Sequence, residues 1–169
     1  MKLKQKTVEI AENDINKWHV LNLHYVRAFC VSPLLESDGI RTFVPPVVNN
    51  LLFAQISENR MKDYIGRKAI GEKISFMRSR ATGRPIVVED GDMELFMRIC
   101  AATEAPIVMT ERPELKLGDH VRIIDGPLKG AEGNVVRIKK NKRVLINIGN
   151  VLWVATGYMT PDQLEVINN

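Results

Sequence analysis

The side chains able to do acid–base, nucleophilic or metal chemistry are few in this 169-residue chain, and they are scattered. The three histidines, His19, His24 and His120, have no nucleophile motif beside them. The two cysteines, Cys30 and Cys100, stand seventy positions apart, without the close Cys or His pairing that a zinc site needs. Buried free thiols are the expectation for both. No glycine-rich loop ending in Lys-Ser or Lys-Thr is present to cradle a phosphate. The expected chemistry is therefore binding and not catalysis, with neither a metal nor another cofactor.

Binding calls for a folded scaffold and a surface. Hydrophobic residues make up 45% of the chain and charged ones 26%, the balance of a globular protein and far from that of a disordered one. The net charge of +4 is uneven: residues 115–169 carry eight basic and five acidic side chains. Such a surplus suits nucleic acid or an acidic protein face, although solvated cations are the usual reading. The opening MKLKQKTVEI lacks the apolar stretch of a secretory signal, and no run approaches the ~20 apolar residues of a membrane span. A cytoplasmic monomer with no membrane contact is expected.

The C-terminal third is written as a small β-barrel. Short β-branched runs, 120–124, 131–138, 144–148, 151–155 and 164–167, alternate with turns. Asp125-Gly126-Pro127-Leu128-Lys129-Gly130 is the clearest turn, because glycine tolerates positive φ and proline fixes φ. Five strands suggest an SH3-like barrel over 116–169.

Residues 1–103, with a core from about 17, read as an α/β unit. Trp18–Leu23, Ile40–Val44, Leu51–Ile56, Ile74–Arg80 and Pro85–Val88 have strand character. A helical segment from Arg27 to Ser37 contains Pro33, which should disrupt or restart it, and Gly39 should end it. Ser57 offers an N-cap to a helix carrying Met61, Tyr64 and Ile65. Met93, Phe96, Met97 and Cys100 mark one face of a last helix, with acids gathered at its start. Residues 104–115, holding Pro106 and Pro113, read as the linker.

The phrase GDHVRIIDGPLKGAEGNVVRI resembles the KOW motif, with Gly126, Pro127, Gly130 and Gly133 in its turn and second strand. WHVL, GIRTFVP, NNLLFAQI and FMRSRATGRPIVVEDGDMELFMRI are similar, in that order, to the strands and closing helix of the NusG N-terminal (NGN) domain. From about Trp18 to Ile167 the chain thus resembles the NusG family of transcription factors. In the phrase LKLGDHVRIIDGPLKGAEGNVVRIK the chain resembles the specialised UpxY-type paralogues.

The resemblance implies an α+β protein: a ferredoxin-like α/β sandwich followed by the KOW barrel. It implies docking on the clamp coiled coil of RNA polymerase through Asn22, Leu51 and Phe53, with Arg60, Lys62 and Asp63 near a second polymerase contact. His24 and Arg27 would sit by non-template DNA. Arg122, Lys129 and Ile146 of the barrel would recruit a ribosomal protein or a termination factor. The activity implied is antitermination within a specific operon, such as one for capsular polysaccharide. The alternatives are a general pausing or termination factor of the same architecture and a KOW-type ribosome-associated RNA-binding protein. Two departures stand out. Only VVNN separates Pro46 from Leu51, where relatives carry a longer, often basic hairpin, and Asn49-Asn50-Leu51 replaces their Pro-Gly-Tyr. Without a partner, exposed Leu51 and Phe53 would be a liability; the bland alternative is that both face the core.

Overall fold

Short strands buried along most of their length build the first sheet. The computed structural model describes residues 15–24, 28–46, 48, 50–67, 73–103, 107–109, 117–150 and 152–167. β1 (Lys17–Leu23) is the central strand, with β2 (Arg41–Phe43), β3 (Leu51–Ile56) and β4 (Ile74–Phe76) in the order β2-β3-β1-β4, and β5 (Val87–Val88) also pairs with β1. All pairings are antiparallel; β1 and β3 run in register from Lys17 opposite Ile56 to Asn22 opposite Leu51. Leu21 and Leu23 of β1 join Leu52, Ala54 and Ile56 of β3 in a core closed by Val31 and Leu35 of α1 (Ala28–Ser37) and Met61 and Tyr64 of α2 (Glu58–Ile65). Alternation puts Trp18, Val20, Asn22, Leu51 and Phe53 on the opposite sheet face.

The ends of the helices follow local chemistry. α1 runs through Pro33 without a break, with the proline on the exposed side, so the expected disruption is not found. Gly39, at φ 75°, ends it as expected, and the Ile40 N–H donates to the Leu35 carbonyl at 3.1 Å. Ser57 caps α2 by accepting from the Arg60 N–H at 3.3 Å.

The chain divides into two compact units, 1–89 and 90–169, and not at the expected boundary after residue 103. α3 (Asp90–Ala102) groups with the second unit. There Ala102 and Thr103, at its C-terminal end, lie beside Gly157, Tyr158 and Met159 of the barrel. The second unit's sheet has the order β11-β7-β8-β9-β10-β6, from β6 (Ile107–Met109), β7 (His120–Ile123), β8 (Glu132–Ile138), β9 (Asn141–Ile148), β10 (Leu152–Ala155) and β11 (Leu164–Val166). β6 lies within the expected linker. Its β-branched Ile107 and Val108 pair with β10 at the sheet's edge, a position that tolerates a preceding proline. The barrel therefore has one strand more than the sequence suggests.

Candidate functional site

The register brings three of the expected contact residues onto one sheet face. Asn22 sits opposite Leu51, and Phe53 opposite Val20. Phe43 of β2 faces Phe53, with ring centroids 6.4 Å apart. The expectation of exposed apolar residues fails here: Leu51 and Phe53 are 1% and 0% exposed, and only Asn22 is half-buried. The cause is visible in β3 itself, where Leu51 to Ala54 is an unbroken apolar run, as a strand covered on both faces requires. Trp18 is buried too, with the Arg41 guanidinium 5.4 Å from its ring centre.

Arg60, Lys62 and Asp63 are all exposed on α2, but two of them already have partners. Arg60 donates to the Asp38 carbonyl at 2.6 Å, and Lys62 pairs with Glu58 at 3.5 Å. Tyr64 donates to the Asp38 carboxylate, and burial together with that hydrogen bond holds its phenol above the usual range. His24 is exposed and hydrogen-bonds the Ser75 hydroxyl at 2.8 Å; Arg27 lies outside the described residues.

In the second unit the expected glycines prove architectural. Gly126 and Gly130 adopt φ of 78° and 90°, and the Gly130 N–H closes the loop onto the Ile123 carbonyl at 2.7 Å. Gly133 answers a different demand, since a Cβ there would stand 2.3 Å from the Leu145 carbonyl oxygen. Leu128 anchors the loop inward while Pro127 and Lys129 stay exposed. One expected partner contact is corrected, and another already holds an ion pair. Ile146 is 2% exposed and shares the buried sheet face with Val144, Ile148 and Val154. Arg122 is not free: it lies opposite Glu132 and holds it at 2.7 Å, with Glu165 at 3.9 Å on the other side. Sequence reasoning also passed over Tyr158, 61% exposed at the rim of a cavity of about 170 Å³ that Asp125, Pro127, Leu128 and Gln163 help to line. An aromatic three residues past a strand was its only signal.

A larger cavity, about 380 Å³, lies in the first unit between Lys17, His19, Glu58, Arg78 and Arg84. His19 is buried, packs edge-on to Phe76 at 5.2 Å, and leaves its Nδ1 without a hydrogen-bond partner among the described residues. Burial lowers its pKa below the usual histidine value. Nothing in the sequence connects these residues, which come from four separate segments. The thiols differ from expectation: Cys30 is exposed on α1, whereas Cys100 is partly buried on α3 and pushed up to about 11 by that burial. Among the described residues no cluster of His, Cys, Asp and Glu could hold a metal ion, and no helix is long and apolar enough to cross a membrane.

Comparison with known proteins agrees with this architecture. The KOW motif family model matches residues 117–147, which span β7, β8 and most of β9. A solved structure described as "Domain interaction in Thermotoga maritima NusG" superposes with a TM-score of 0.55 at 18% identity, covering 90% of this chain and 98% of that one. At that identity the likeness is one of fold: a NusG-like α+β arrangement with a KOW-bearing sheet. No curated protein sequence matches the chain.

Proposed function

We propose that this NusG-like, KOW-bearing chain is a non-enzymatic transcription factor that binds RNA polymerase through its first unit and recruits a second machine through its barrel. The carrying observation is that one NusG structure matches both the α/β unit and the KOW sheet, over 90% of the chain. A KOW motif alone would mark only a recurring barrel.

In this reading the sheet face around Asn22 is the dock for the polymerase clamp. Leu51 and Phe53 shape that dock from beneath, and they touch the partner only if the face is uncovered in the bound state. Arg60, Lys62 and Asp63 add a polar contact on α2, and His24 with Arg27 supplies phosphate contacts to non-template DNA. The barrel recruits a ribosomal protein or termination factor through the exposed loop bearing Pro127 and Lys129. The outcome is read-through of a specific operon, such as one for capsular polysaccharide. The trimmed segment before Leu51 favours a specialised over a general factor, because it removes a surface hairpin that general relatives carry.

The test is co-elution of the full chain with its cognate core RNA polymerase, followed by multi-round transcription on a long leader template. Polymerase binding with raised read-through is expected. Failure to co-elute sinks the polymerase reading, and increased pausing or termination replaces antitermination with the general-factor reading. Equal polymerase binding by wild type and Asn22→Arg refutes the sheet-face assignment alone.

A further inference from the structure

The β8–β9 hairpin carries costs that its own fold does not explain. Ile138 pairs with Asn141, so the connection is the two residues Lys139 and Lys140, at φ 48° and 70°. Positive φ at both central positions is the geometry for which Asn-Gly or Gly-Gly is normally chosen. Every other positive-φ residue among those described is a glycine or Asn150, including Gly149 and Asn150 in the neighbouring β9–β10 turn. One rung back, Arg137 lies directly opposite Lys142, a like-charge cross-strand pair that repels. The same barrel places Arg122 opposite Glu132, so it elsewhere neutralises a cation in that position. No acid occurs between residues 137 and 143. Arg137, Lys139, Lys140 and Lys142 are exposed and make no ion pair among the described residues, whereas Arg143 is half-buried and donates to the Thr156 carbonyl at 2.8 Å.

We infer that this hairpin tip is a DNA-binding finger, in which Arg137, Lys139, Lys140 and Lys142 contact the phosphates of a B-form duplex without reading its sequence. Four unneutralised cations on a narrow tip call for a polyanion. The shape selects among polyanions. A two-stranded ribbon fits the B-form major groove, about 12 Å wide, while the A-form major groove of duplex RNA is too narrow to admit side chains. Unpaired RNA is bound by stacking its bases on aromatic side chains, and residues 137–143 contain none. The inference is independent of polymerase binding.

The test is fluorescence anisotropy of a labelled mixed-sequence DNA duplex of about 25 base pairs, titrated with the full chain across a salt series. With all four cations engaged, log K falls against log salt with a slope of about −3.6 or steeper. The decisive variant is K139N/K140G, which gives the turn its preferred residues while removing two charges. Its melting temperature should equal or exceed that of wild type. Its DNA affinity should fall on the order of 50-fold near 0.1 M salt, and its slope should shallow by about 1.8. Unchanged affinity overturns the proposal, because it leaves the lysines as solvated turn residues. Tighter binding to single-stranded or duplex RNA of equal length overturns the choice of partner. Should K139N/K140G lose its fold by circular dichroism, R137Q/K142Q asks the same question without touching the turn: an equal affinity loss supports the finger, and none refutes it.

Discussion

Gly133→Ala tests the tightest point of the barrel. The added methyl would lie 2.3 Å from the Leu145 carbonyl oxygen and 2.9 Å from Val144 Cγ1. Both neighbours belong to β9, the strand between β8 and β10, and the oxygen is backbone, so it cannot swing aside as a side-chain tip would. Relief requires β8 and β9 to part where Asn134 pairs with Leu145. Overpacking of this kind costs about 1–3 kcal/mol, and the backbone clash puts this case at the upper end. For a unit of this size about 3 kcal/mol corresponds to a fall in melting temperature of roughly 12–24 °C. Gly126→Ala is the control: at φ 78° it meets nothing within 4 Å, so it incurs only the left-handed penalty of about 1–2 kcal/mol. Thermal denaturation by circular dichroism, with hydrogen exchange across β8 and β9, separates the two. A Gly133→Ala barrel melting within a few degrees of wild type, or above Gly126→Ala, would refute the close-approach argument.

Three further outcomes follow from local geometry. Ser57→Ala removes the acceptor for the Arg60 N–H and should cost about 1 kcal/mol in urea denaturation, with Ser57→Gly milder. Burial lowers the His19 pKa in the folded state, so between the folded and unfolded values the unfolded chain binds more protons. The stability this contributes is complete above the unfolded histidine value and is lost as pH falls below it, levelling off under the lowered folded pKa. The melting temperature should therefore drop more steeply between about pH 7 and 5 in wild type than in His19→Gln; parallel curves would exclude His19 as the source. Iodoacetamide near neutral pH should alkylate exposed Cys30 well before Cys100, whose thiol burial pushes up to about 11, and equal rates by mass spectrometry would contradict that burial.

Much of the fold was legible because it is written locally. Short apolar and β-branched runs located the strands, Ser57 announced its helix, and Gly39, Gly126 and Gly130 marked the left-handed positions that other residues avoid. What escaped depends on pairing. Arg122 looked free until the register put Glu132 across from it, since no local rule specifies which strand residue stands opposite which. Ile107 and Val108 passed as linker because a strand of three residues between prolines carries too little period to detect. The cavity around His19 gathers residues whose sequence separation hides their proximity. One missed feature did have a signal: Leu51-Leu52-Phe53-Ala54 is apolar at consecutive positions, which a half-exposed strand would not be.

That run decides how the proposed docking face should be probed. Leu51 is 1% exposed, so Leu51→Ala leaves a cavity and should cost about 2–5 kcal/mol, whatever the residue does for a partner. A polar replacement of fully buried Phe53 would be worse still, and lost polymerase binding in such a protein would report unfolding. Asn22 stands opposite Leu51 on the same sheet face but is only half-buried, so a long cation there can reach solvent along its stem. Asn22→Arg should then melt within a few degrees of wild type, while Leu51→Ala melts far lower. With the fold intact, loss of co-elution with polymerase by Asn22→Arg alone assigns the face to docking. If Asn22→Arg destabilises the protein as severely as Leu51→Ala, the face is sealed at Asn22 as well, and the dock must be sought on the exposed side of α2.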